Sequence, residues 1–125
     1  MTLARGLAIA VVVVLAACGG STTPASPTPD NPNQMVISSS GVLTPKEITI
    51  AAGSRVLFIN NDARPHFIAS DPHPEHDQCR EMDPVGVLSP GQRRETSNFV
   101  TVRTCGLHDH DDFTNKNLQG TIIVR

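Results

Sequence analysis

The 125-residue chain has no tryptophan and no tyrosine, and only four phenylalanines. A core with so few rings must rest on Val, Ile and Leu. The chain also lacks any run of like charge or basic patch, and its formal net charge is only −2. That balance gives no footprint for nucleic acid. No Ser-His-Asp arrangement, phosphate-cradling glycine loop or paired acid/base signature stands out, so nothing points to hydrolysis. Histidine is missing from most of the chain as well. All five lie between His66 and His110, and two of the three cysteines, Cys79 and Cys105, lie in the same stretch.

The N-terminus reads as an address. Arg5 supplies a positive region, and Gly6 to Ala17 form an apolar run ending in Leu15-Ala16-Ala17-Cys18. A bilayer span needs roughly 20 apolar residues, so this run is too short to be one. The tetrapeptide closely resembles the lipobox of bacterial lipoproteins, which implies a signal peptide over residues 1–17 and a lipidated Cys18. The bland alternative is an ordinary secretory signal with an incidental cysteine. Residues 18–34 then carry four prolines among small polar residues and form a flexible tether. Acyl chains on Cys18 would anchor the protein to a lipid bilayer that it does not span. The expected location is extracytoplasmic, in the periplasm or at the cell surface, with the choice of inner or outer membrane left open. Without the signal the chain keeps nine basic residues against twelve acidic ones.

Residues 35–125 make one small domain with strand patterns. Met35–Ser38 is short and β-prone, and Glu47–Ile50 alternates before a turn at Gly53. Arg55–Asn60 is nearly continuous and apolar, as a central strand would be. His66–Ala69, Val85–Leu88, Arg94–Val102 and Gly120–Val124 complete the set, separated by Gly, Pro and Asn turns. Pro74–Glu81 has room for a helical turn or two. Short strands with no long helical period indicate an all-β sandwich or barrel.

Histidine and cysteine are the side chains that bind transition metals best, and here they form three groups: His66; His73, His76 and Cys79; Cys105, His108 and His110. His108 and His110, one residue apart in a loop, can converge on one ion. Asp109, Asp111 and Asp112 surround them, either orienting imidazole N–H groups or simply solvated. If Pro74–Glu81 were helical, His73, His76 and Cys79 would lie near one face and extend the metal site or bind a second ion. They are equally readable as polar loop residues.

Thr44-Pro45-Lys46-Glu47-Ile48-Thr49-Ile50, then Gly53, Val56, Phe58-Ile59-Asn60-Asn61-Asp62 and Pro65-His66, resembles the first half of a cupredoxin domain. Cys105-Gly106-Leu107-His108 with the closing Gly120-Thr121-Ile122-Ile123-Val124 resembles its second half. The resemblance implies a cupredoxin-like Greek-key β-sandwich with copper at one end. It also implies His66 as the first copper histidine and Cys105 as a thiolate ligand of a type 1 site carrying out single-electron transfer. The chain departs from that pattern, because Asp111 and Phe113 stand where an axial methionine would follow His108.

Cys105 has a competing use. With Cys18 lipidated, Cys79 and Cys105 are the only thiols left in an oxidising compartment, and a disulfide between them would add roughly 3–4 kcal/mol. The metal set would then be His66, His108 and His110, with His73 and His76 as further candidates; Cys105 is a candidate ligand only where it stays out of the disulfide. Copper is the first expectation and zinc the second. The leading functional expectation is copper capture or delivery by a monomer, working with a redox or copper-handling protein. A β-sandwich interaction domain without metal is the remaining reading.

Overall fold

The computed structural model describes residues 31–125, so the expectations for the signal, for Cys18 and for most of the tether lie outside the described residues. Alternation of side chains decides the first strands. In β1 (Gln34–Ile37) Met35 and Ile37 point into the core, and in β3 (Glu47–Ile50) Ile50 does so. Between them β2 (Leu43–Thr44) is a two-residue strand that buries Leu43. β4 (Leu57–Asn60) is buried almost throughout, as its continuous apolar sequence requires. β5 (His66–Ser70), β6 (Gly86–Leu88), β7 (Arg93–Glu95), β8 (Arg103–Asp109) and β9 (Gly120–Val124) follow.

The strands form two sheets, ordered β2-β1-β4-β7 and β3-β9-β8-β5-β6. β1 with β4 and β3 with β9 pair in parallel, and the other pairs are antiparallel. Neighbours distant in sequence, such as β3 beside β9, give the Greek-key connectivity of a β-sandwich. The core between the sheets holds Met35, Ile37, Val56, Phe58, Ile68, Leu88, Phe99, Leu107 and Ile122, and only two of these carry aromatic rings. No α-helix occurs among the described residues, and none of their helical turns is long and apolar enough to cross a membrane.

Three local expectations are corrected. The strand expected over Arg94–Val102 stops at Glu95. Beyond it Phe99 is fully buried and bridges to Ser54, which turns the chain so that Val100 and Val102 face solvent. His108, expected with His110 in a loop, instead lies in the seven-residue strand β8, paired with β5 and β9. The helical turn expected within Pro74–Glu81 falls at Arg80–Met82, after both histidines of that segment. His73 and His76 therefore sit on the irregular connection between β5 and β6, not on a helix face.

Candidate metal centre

Cys79 and Cys105 form a disulfide with Cα atoms 6.0 Å apart, both fully buried in the core. A sulfur in a disulfide is not a thiolate, so Cys105 is removed from the type 1 ligand set that the resemblance implied. The bond has an organising role. It ties the β5–β6 connection to β8, the strand that ends in His108 and Asp109.

At that end of the sandwich His73, His76, His108 and His110 come together, with one ring nitrogen of each within 4.8 Å of the others. β8 delivers His108, and the 3₁₀ turn His110–Asp112 starts with His110. The β5–β6 connection brings His73 and His76 across. Asp71 and His73 each precede a proline, which confines both to extended backbone and limits where the loop can go. His76 has a left-handed backbone, φ 53°, uncommon outside glycine, and its N–H donates to Pro72 O at 2.7 Å. Ser70 Oγ donates to His76 O at 2.8 Å and holds the turn closed.

The ring nitrogens are not satisfied by the protein alone. His108 Nδ1–H donates to Asp71 Oδ1 at 2.6 Å, which leaves the Nε2 lone pair facing inward. That Nε2 is buried without a hydrogen-bond partner, and so is His73 Nδ1. His110 Nδ1 and His76 Nε2 lie 3.1 Å apart, sharing whatever proton is available between two basic nitrogens. Buried polar atoms are rarely left unpaired, so two such atoms in one cluster call for a ligand. Burial, and then the charges that His108, His110 and His73 would carry, lower the pKa of His76, with Asp83 opposing. A histidine held neutral offers its lone pair. Phe113 stacks on His73 at 4.0 Å, and Phe67 lies 4.9 Å from His110, giving the cluster apolar walls. A cleft of about 250 Å³ lined by Asp71, His73, Leu107, His108, Phe113 and Gln119 adjoins it.

The structure thus brings His108 and His110 together with His73 and His76, and places His66 elsewhere. His66 Nδ1 meets Asp109 Oδ2 at 2.6 Å and Nε2 meets Asp62 Oδ2 at 2.9 Å, so neither nitrogen is free. Asp71 escaped the sequence reading. Its only signal was an acid two residues before His73 in the segment Asp71-Pro72-His73-Pro74. Asp109 does orient an imidazole, as the acidic loop suggested, but that imidazole belongs to His66.

Sheet order, strand pairing and the position of the histidine cluster at one end define a cupredoxin-like sandwich. Solved structures agree. The chain is similar to amicyanin from Paracoccus versutus, with 20% identity over 79% of this chain and 86% of that one and a TM-score of 0.62. It is also similar to the oxidised form of plastocyanin from Dryopteris crassirhizoma, with 22% identity over 74% and 99% and a TM-score of 0.57. A novel purple cupredoxin from Nitrosopumilus maritimus matches at 19% identity over 74% and 98%, with a TM-score of 0.54. Neither a protein-family model nor a curated protein sequence matches the chain.

Proposed function

We propose that the protein is an extracytoplasmic copper-binding protein that captures or delivers the metal through His73, His76, His108 and His110. The observation that supports this most is the pair of buried, unpartnered nitrogens, His73 Nδ1 and His108 Nε2, within a four-histidine cluster. An ion bound to four nitrogens in a tetrahedron needs them about 3.3 Å apart. Their present spread, up to 4.8 Å, is within reach of side-chain rotation. Four imidazoles with no thiolate or thioether make a borderline donor set that suits divalent ions, and at such a set copper outranks zinc. Asp71 behind His108 is the carboxylate–histidine arrangement that raises ligand basicity. The lipobox-like segment ending at Cys18 supports anchoring to a lipid bilayer, with a copper-handling or redox protein as partner. Electron transfer, the second reading, would run through imidazole-bound copper and not through a Cys105 thiolate. An interaction domain without metal leaves the cluster's orphaned nitrogens unexplained.

Titration of the purified chain with Cu²⁺ and Zn²⁺ tests the proposal. We expect one copper per chain, bound more tightly than zinc, a weak visible band and no free thiols. The variant His73→Ala/His108→Ala should lose the ion. Copper uptake unchanged in that variant, or an intense thiolate charge-transfer band, would rule the four-histidine site out.

A further inference from the structure

The histidine that the family pattern makes a ligand is occupied here in another way. His66 is 2% exposed and lies between Asp62 and Asp109, themselves 8% and 3% exposed. Its Nε2 lies 2.9 Å from Asp62 Oδ2 and its Nδ1 2.6 Å from Asp109 Oδ2, so a carboxylate engages each ring nitrogen. Asp62 is fixed in turn, accepting from Ala63 N–H through Oδ1 at 2.7 Å and lying 3.4 Å from Arg64 Nε through Oδ2. The hydrogen bond from His66 is the main cause of its lowered pKa, with burial opposing.

Asp109 holds the other side of His66. It is the last residue of β8 and stands between His108 and His110 in sequence. Its Oδ2 takes the His66 proton donor, while its Oδ1 accepts from Phe67 N at 3.3 Å and from Asp111 N at 3.1 Å. One carboxylate therefore stitches the end of β8 to the start of β5 and caps the 3₁₀ turn that opens with His110. Without His66, Asp109 Oδ2 would be a buried acceptor that has lost its partner, and a buried polar atom left unpaired is costly enough to move the group.

We infer that His66 is a positioning residue for the metal loop, acting through Asp109 to fix where β8 ends and where His108 and His110 point. The inference rests on the copper-binding reading above for its functional meaning. Its structural content, that His66 sets the orientation of two rings it does not touch, can be read with or without metal.

The experiment uses His66→Gln and Asp109→Asn in the full chain, with Cu²⁺ as probe. Each variant should still take up one copper and keep the wild-type nitrogen hyperfine pattern in its electron paramagnetic resonance spectrum. Affinity should fall about ten- to a hundredfold, the usual effect of losing a group that orients a ligand. Because both residues act through one contact, the double variant should be little worse than the weaker-binding single variant. In the metal-free chain the ring C–H resonances of His108 and His110 should move in both variants. Loss of a nitrogen from the copper signal in His66→Gln would make His66 a ligand and overturn the inference. Affinity within twofold of wild type, or His108 and His110 resonances that stay in place, would overturn it too. If the wild-type chain takes up no copper, the functional proposal fails while the resonance shifts still decide the positioning role. Should His66→Gln not fold, Asp109→Asn carries the same readouts.

Discussion

Gly106 has no side chain because Asp71 occupies the space where one would go. A Cβ built there would overlap the Asp71 carboxylate, with its Cγ 2.9 Å away. The backbones are locked at the same point, with Asp71 N–H donating to Gly106 O at 3.0 Å and Gly106 N–H donating to Gln78 Oε1 at 2.8 Å. Gly106→Ala must therefore push the carboxylate away from His108 Nδ1. We expect copper affinity to fall about tenfold or more, with one ion per chain retained. Asp71→Asn should cost less, since an amide oxygen can still accept from Nδ1–H. Competition with a chelator of known affinity measures both, and equal wild-type affinity in the two variants would deny Asp71 its orienting role. At this scale the sequence was only partly legible. His108 and His110 announced themselves by spacing, but a glycine that makes room for a carboxylate 35 positions away carries no local signal. Nor does the diversion of His66 to Asp62 and Asp109, because both depend on which strands become neighbours.

At the scale of elements, the centre is the meeting of one regular strand and one irregular connection. β8 supplies rigidity through pairs to β5 and β9. The β5–β6 connection supplies His73 and His76 and is held by the disulfide, by the ion pair of Arg103 with Glu81, whose Nη2–Oε1 separation is 2.7 Å, and by Ser97 N–H donating to Glu81 O at 2.8 Å. Lys46 holds the neighbouring turn by donating to Lys116 O and Asn117 O at 2.8 and 2.6 Å. The cysteines lie 26 positions apart, for which loop-closure entropy gives about 3.5 kcal/mol. Cys79→Ala/Cys105→Ala should therefore unfold at lower denaturant, with a stability loss of roughly 2–5 kcal/mol, and bind copper more weakly because the connection is less confined. A variant of unchanged stability would show that the bond constrains little. β8 was hard to read because Gly106 is a weak strand former and its last residues, His108 and Asp109, are polar, which leaves only Cys105 and Leu107 as apolar signal. His108 and Asp109 are buried only because Asp71 and His66 pair with them, and a local window cannot show that.

The whole molecule was the most legible level, since the motifs from Thr44 to His66 and from Cys105 to Val124 arrive in the order the sandwich requires. It is also the level at which protons, metal and stability are linked. In the unfolded chain His76 takes up its proton near the ordinary value of about 6.5. In the folded domain burial and three neighbouring imidazoles delay that uptake to lower pH. Between the two values the unfolded state binds more protons, so the metal-free domain loses stability as pH falls through this window and levels off below the folded value. Bound copper would add a second dependence of the same sign. An ion held at a hundred times its dissociation constant stabilises the fold by about 2.7 kcal/mol, and a domain of this size should then melt roughly 10–20 °C higher. Protonating the imidazoles releases the ion, so this gain should shrink as the solution is acidified from pH 7.5 to 5. His76→Asn separates the two effects, because asparagine tolerates the left-handed backbone at this position without titrating. Melting curves of this variant without metal should depend less on pH than those of wild type, and its copper-induced rise should be smaller at every pH. A wild-type slope retained in the variant would move the origin of the pH dependence away from His76. A copper-induced rise as large as wild type's would take His76 out of the ligand set.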